Sequence, residues 1–236
     1  MSCSSPVASA VGPRPSASPP HTAPRTWCCC FADTLVEDED LYRFLDDAAA
    51  QLGVPVTVVA DGRTPFQVFR DQRFLGNSRL APCSIHLKVA PCRAWLRAHT
   101  DPADTILYVG LDRSEPQRAP AITRGWAPWT VRYPLFEPPY LTKQDMLDWC
   151  TRLGVTPPRL YALGLGHNNC GGACVRAGQR QWLHLLSVFP DRFDEAEQHE
   201  AQLRAELGDV AILRDRRGGV SRPLPLTELR GRHQTG

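Results

Sequence analysis

"TWCCCFADTLVEDEDLYRFLDDAAAQLGVPVTVVA", residues 26–60, is the stretch whose reading decides the fold. It opens on a compact apolar run ending in Asp33 and Thr34, the pattern of a buried strand followed by a polar turn. Acidic residues then open "EDEDLYRFLDDAAAQLG", where Leu41, Phe44, Leu45 and Ala48 recur at helical spacing and Gly53 supplies a stop. "VPVTVVA" follows as a β-branched strand. Strand, helix and strand in succession predict a parallel α/β sheet, because parallel neighbours need a crossover. Free cysteine is among the most buried residue types, so Cys28, Cys29 and Cys30 are expected to fill core.

Further along, "DTILYVGLD" repeats the signature of an apolar strand running into a glycine-containing polar loop. Ligands of open α/β sheets bind where loops leave the carboxyl ends of the strands. The polar clusters "ADTLVEDED", "ADGRTPF" and "GLDRSEPQR" are therefore the places to search. The C-terminal third turns helical in "LTKQDMLDWCTRLG", "GQRQWLHLLSVFP" and "FDEAEQHEAQLRAELG", the last a charged, solvated helix capped by Gly208.

The flanks read differently. Residues 1–26 are rich in Pro, Ser and Ala, show no sustained period, and are expected to be poorly ordered. Residues 27–215 form the domain, and residues 216–236 read as a basic, loop-rich tail. The 236 residues suffice for one sizeable core; at 42% hydrophobic and 22% charged they match soluble domains, and no apolar run reaches membrane-helix length. A net charge of +2 gives no field that by itself predicts nucleic-acid binding, which stays open. Nine cysteines without a secretory signal point to a reducing, cytoplasmic setting, where clustered thiols serve metals or redox chemistry.

Chemistry concentrates in "HNNCGGACVRAGQ", residues 167–179. Cys170 and Cys174 have a spacing found in zinc half-sites, and Gly171 and Gly172 allow positive φ, bringing amides towards an inorganic centre or an anion. A tight turn with unligated thiols is the alternative. His167 is either a further ligand or a hydrogen-bonding residue. In "PCSIHLKVAP", Lys88 would lower the pKa of a neighbouring Cys83 thiol if the segment opens a helix. In "GLDRSEPQR", Arg113 and Arg118 suit oxyanions through their planar forks, with Glu115 orienting one of them or simply forming a surface salt bridge.

"FADTLVEDEDLYRF", "PCSIHLKVAP", "GLDRSEPQR" and "YALGLGHNNCGGACVRAGQ", in this order, resemble the phosphoadenosine phosphosulfate (PAPS) reductase family of the adenine nucleotide alpha hydrolase, or PP-loop, superfamily, in its bacterial and phage branch. The resemblance implies a Rossmann-like α/β/α sandwich with a mainly parallel sheet and a helical C-terminal part. It implies an adenine nucleotide, ATP or PAPS-like, held near Asp33, Thr34, Lys88, Arg113, Glu115 and Arg118, although Asp33 could equally cap the following helix. It further implies an iron–sulfur cluster or zinc on Cys83, Cys170 and Cys174, with sulfur transfer, reduction or adenylation as the chemistry and a sulfur donor or partner subunit alongside.

Two departures are visible. The family's Ser-Gly-Gly-x-x-Ser phosphate loop has only "SCSSPVASAVG" as counterpart; it offers Ser2, Ser4, Ser5 and Ser9 but lacks paired glycines, contains Pro6 and has no apolar first strand before it. No cysteine follows Cys174, so a mobile C-terminal thiol of the assimilatory PAPS reductases is missing. A catalytically degenerate, metal-stabilised module is the competing expectation.

Overall fold

A computed structural model describes residues 9–13 and 27–234, the first stretch by its backbone alone. Ser2, Ser4, Ser5 and Pro6 lie outside the described residues. The chain runs β1 (Ser9–Pro13), β2 (Cys28–Asp33), α1 (Glu39–Leu52), β3 (Val56–Ala60) and α2 (Pro65–Asp71). A π-helical turn over Ser84–Val89 continues into α3 (Ala90–His99), then β4 (Thr105–Tyr108), α4 (Ala119–Trp126) and β5 (Thr130–Arg132). The C-terminal part comprises α5 (Lys143–Arg152), α6 (Arg159–Ala162), α7 (Gln179–Val188), α8 (Pro190–Leu207), β6 (Leu213–Asp215), β7 (Arg222–Leu224) and α9 (Leu226–Gln234).

The fold is mixed α/β around a small sheet of order β3-β2-β1-β4-β5. β2 and β3 pair in parallel, as do β4 and β5, while β1 runs antiparallel to both of its neighbours. Four strands therefore share one direction and the central one opposes them. The presence of β1 corrects the expectation that residues 1–26 hold no strand. "SAVGP" carries too few large side chains to advertise a period; ladder partners on both edges satisfy its backbone instead.

β2 is buried on both faces, which explains its continuous apolar run. Cys30 and Ala32 face one way into a cluster with Cys92 and Leu96 of α3 and Leu107 of β4. Phe31 faces the other way and meets Tyr42 of α1 edge-on, ring centroids 6.2 Å apart. Cys30 is thus core, as expected, with its Sγ 3.6 Å from that of Cys92, whereas Cys28 and Cys29 are only half-buried. α1 starts at Asp38, whose side chain accepts from the Asp40 amide, and stops at Gly53 in the left-handed region. Asp38, not Asp33, is the cap.

A second, larger core joins α7, α8 and α9 through Trp182, Leu185, Phe193, Leu203, Leu226 and Leu229. The expected loop-rich tail is in fact part of it: β7 pairs with β6, and Leu224 is fully buried. The apolar period there is only a few residues long and interrupted by Pro223 and Pro225, so the sequence masks it. Glu200 of α8 locks this end, accepting from the amides of Ile212 at 2.8 Å and Leu226 at 2.5 Å while only 1% exposed. Glu200→Ala leaves both buried donors unpaired, at about 1–3 kcal/mol each. Urea unfolding should show a loss of that order, with Glu200→Gln intermediate because an amide offers one acceptor; a loss below 1 kcal/mol for the alanine variant would contradict this role.

Candidate functional site

The loops that leave the carboxyl ends of β2 and β4 meet the π-helical turn and the Cys170–Gly172 loop at one end of the sheet. Past β2 the backbone turns at Leu35 (φ 62°), its amide bonded to Asp33 Oδ1 at 2.8 Å. The same Asp33 oxygen accepts from the Tyr42 hydroxyl at 2.9 Å, and burial together with Asp33 pushes that phenol's pKa up. Asp33 is thereby occupied locally. Thr34, 1% exposed, donates its hydroxyl to Glu37 Oε1 at 2.9 Å.

Glu37 is the residue on which these segments converge, and its side chain is only 1% exposed. Besides Thr34 it pairs with Lys88 Nζ at 3.6 Å and accepts from the Cys170 amide at 2.6 Å. The π-helical turn that follows Cys83 presents Lys88 to this carboxylate. A buried carboxylate is tolerated here because a cation, a hydroxyl and an amide all satisfy it.

Three consecutive residues, Cys170 (φ 51°), Gly171 (φ 56°) and Gly172 (φ 92°), adopt the left-handed region. Glycine is required at the last two: a Cβ on Gly171 would stand 3.1 Å from the Val36 carbonyl oxygen, and one on Gly172 2.5 Å from Leu165. Cys170 takes the same conformation with a side chain, a strain of about 1–3 kcal/mol sustained by its surroundings. Arg192 braces the loop, donating to the Gly171 carbonyl at 2.8 Å and pairing with buried Asp38 at 2.8 Å.

The two thiols hydrogen-bond to each other and divide into donor and acceptor. That bond, with help from the Arg176 amide and Lys88 against burial, lowers Cys174 to a pKa of about 7. The same bond, together with burial and Glu37, pushes Cys170 well up. Near neutral pH Cys174 is thus the sulfur of the pair that ionises, and Cys170 the one that keeps its proton.

Two cavities meet at these sulfurs. The smaller, about 80 Å³, is walled by Thr34, Cys83, Lys88, Arg118, Asn169 and Arg176, among others. The larger, about 290 Å³, runs past Arg192 to Phe66 and His199, whose rings stack at 4.6 Å. Cys83, Cys170 and Cys174 line both. Of the residues expected from sequence, Thr34, Cys83, Lys88, Arg118, Cys170 and Cys174 come together. Glu115, 7% exposed, holds Arg118 Nη1 at 2.6 Å, so the salt bridge and the orienting role are the same contact.

Arg113 and His167 do not join them. Arg113 lies over the Tyr140 ring, 4.0 Å from its centroid, and is on neither cavity wall. His167 is buried, accepts from the Asn169 amide at 3.4 Å, and is held neutral with a pKa near 4 by desolvation and then by Lys143 and Lys88. Among the described residues no group of three or more His, Cys, Asp or Glu is arranged to hold a metal ion. Cys83, Cys170 and Cys174 share cavity walls without converging as ligands, and the last two spend their sulfur geometry on each other. Of the serines counted for the phosphate loop, Ser9 lies within β1, a strand antiparallel to both of its neighbours, and not in a loop.

Sequence reading passed over Glu37, Arg176 and Arg192. Glu37 sits in "VEDED", where it reads as one more helix-start acid, and Arg192 falls between two segments that read as helices. No family model matches the chain, and neither does any curated protein or solved structure.

Two outcomes are expected. The ultraviolet thiolate absorbance lost on Cys174→Ser should titrate near pH 7, and Cys170→Ala should move that titration upward by removing the donor; a titration near 9 in the unaltered protein would contradict the assignment. His167 has a folded pKa near 4, below its ordinary 6.5. A depressed pKa contributes stability above the unfolded value that is lost as pH falls through the folded one. Acidification from pH 6.5 to about 4 should therefore remove about 3 kcal/mol that a His167→Gln variant does not lose.

Proposed function

We propose that this protein is a PAPS reductase-like enzyme on a Rossmann-like α/β/α sandwich, binding an activated-sulfate adenine nucleotide and reducing its sulfur with the Cys170–Cys174 pair. The observation that carries this reading is the hydrogen-bonded thiol pair on the same cavity wall as Lys88 and Arg118. The helices met by alternate side chains of β2 on its two faces support the sandwich. The larger cavity, near the lower end of the usual 300–1,000 Å³ range for ligand pockets, ends in the Phe66–His199 stack and would receive the base.

The chemistry follows from the thiols. Cys174 thiolate attacks the sulfur of the activated sulfate; a sulfur–sulfur bond forms, the sulfur–oxygen bond to the phosphate breaks, and the nucleotide departs with the electron pair. Lys88 and Arg118 stabilise the charge that develops on that leaving phosphate. Cys170 then attacks Cys174 Sγ, its proton passing to water; sulfite leaves and the pair becomes a disulfide. The dithiol is oxidised by two electrons and the sulfur reduced by two, and an external thiol restores the pair. Cys170 thus supplies the second thiol that the chain does not carry after Cys174.

The antiparallel β1 favours a second reading, a non-catalytic module that binds nucleotide weakly or not at all and is stabilised by an iron–sulfur cluster or zinc once Cys83 swings towards the pair. Iron, zinc and acid-labile sulfide per chain, with and without Cys170→Ser and Cys174→Ser, decide between them. No described helix is long and apolar enough to cross a membrane.

Anaerobic incubation with PAPS and dithiothreitol should release sulfite. Cys174→Ser should abolish it, and Cys170→Ser should leave a sulfonate adduct on Cys174 visible by mass spectrometry. Arg118→Ala should weaken nucleotide binding about tenfold or more without unfolding the chain. Undetectable nucleotide binding by the unaltered protein, with a stoichiometric metal whose removal unfolds it, would overturn the enzymatic reading.

A further inference from the structure

The small cavity shares one wall residue, Arg176, with a second cavity. This is an open cleft of about 390 Å³, completed by Ser78, Gly178, Gln179, Arg214 and Arg216. Three arginines line the cleft, and no aspartate or glutamate is among the described residues that do. The charge separation comes from strand geometry. Along β6, Leu213 and Asp215 are buried and Arg214 is exposed, so Arg214 and Asp215 point to opposite faces. Asp215 is engaged on its own face by Arg217, Arg222 and Arg232 and leaves the cleft unneutralised.

The guanidiniums are placed by neutral partners. Arg214 donates to the Ser221 hydroxyl and carbonyl, both at 2.8 Å, and its own carbonyl accepts from Gln179 at 2.9 Å. Those contacts fix its position and leave its charge unopposed. Arg176 donates to the Arg79 carbonyl at 3.5 Å, while its Nε is buried without a hydrogen-bond partner among the described residues. Arg176 thus brings its charge to the wall of both cavities while a neutral carbonyl holds it. α7 begins beside the cleft at Gly178 with no side-chain cap, so its first amides add donors of the same sign.

We infer that the cleft of Arg176, Arg214 and Arg216 is a second oxyanion site, taking a phosphate group of a ligand that carries a first anion beside Lys88 and Arg118. The ligand class is an extended phosphate ester, longer than a mononucleotide. The inference extends the nucleotide reading to a further contact but rests on a separate cavity, and it can be tested apart from that reading. Phosphate in this position has two sources, a phosphodiester chain or a free polyphosphate, and they call for different probes.

The experiment measures binding of 5′-phosphorylated adenosine, its di- to tetranucleotide series and inorganic tripolyphosphate, across a range of salt. The variants are Arg216→Glu, which reverses an exposed charge, and Arg214→Gln, which keeps a donor towards Ser221; unfolding midpoints confirm that each is folded. A phosphodiester source predicts affinity that rises with the second nucleotide and a gain that falls about fivefold or more in both variants. The dependence of log affinity on log salt should drop by about 0.7 for each phosphate contact removed. A polyphosphate source predicts the same loss with tripolyphosphate alone. Either result supports the site. Mononucleotide affinity should stay unchanged in both variants, which keeps the first site as an internal control. If the unaltered protein binds no mononucleotide yet loses tripolyphosphate or oligonucleotide affinity in the variants, the nucleotide reading falls and the second site stands. If neither variant changes the affinity of any multiply phosphorylated probe by more than twofold, the second site is overturned.

Discussion

The buried carboxylate of Glu37 is the constraint on which the rest of the site depends. It accepts from a hydroxyl at the end of β2, faces a cation from the π-helical turn, and accepts from the amide that opens the Cys170–Gly172 loop. These three segments come from distant parts of the chain. Without the carboxylate, the buried Cys170 amide would lose its acceptor and Lys88 an anionic partner. Neither arrangement would hold the left-handed turn at Cys170. The loop is thus not a flexible glycine linker but a strained turn that Glu37 holds at its first amide.

The hydrogen bond between the two thiols sets which sulfur carries charge. It raises Cys170, with burial and then the field of Glu37 behind it, while Glu37 also anchors Cys170 through its backbone amide. Cys174 instead receives the Cys170 hydrogen bond and the Arg176 amide. Lys88 favours ionisation of either sulfur, so it raises the thiolate content of the pair without choosing its site. The polarity of the dithiol therefore comes from the hydrogen bond within the pair, and Lys88 supplies the overall bias.

Much of this was legible in the sequence where period and punctuation were strong. The opening strand, α1 with its Gly53 stop, and β3 stand out because burial on one or two faces imposes a pattern and glycine ends it. β1 was not legible, since five small residues borrow their hydrogen bonds from both neighbours. The C-terminal strand and helix were hidden by prolines, although Leu224, Leu226 and Leu229 are core. At the site, residue type pointed to Lys88, Arg118 and the cysteines. It could not separate Arg118 from Arg113, because the difference lies in what each meets: a buried Glu115 for one, the ring of Tyr140 for the other. Glu37 was lost among neighbouring acids of which only the fold makes it and Asp38 special.

Asp38 shows why two adjacent carboxylates were needed. Glu37 turns inward to the thiol loop, while Asp38 caps α1 and holds Arg159 and Arg192 from the helical core. Arg192 in turn reaches the Gly171 carbonyl, so the loop is gripped at its first amide by one acid and at its next residue, through an arginine, by the other. The sheet core and the helical core are largely separate apolar clusters. Their junction at this end is ionic, and both charges of each pair are held by further hydrogen bonds that limit the desolvation cost. A junction of this kind permits two cavities to open on one pair of sulfurs, because polar walls that are already satisfied do not collapse onto each other as apolar ones would.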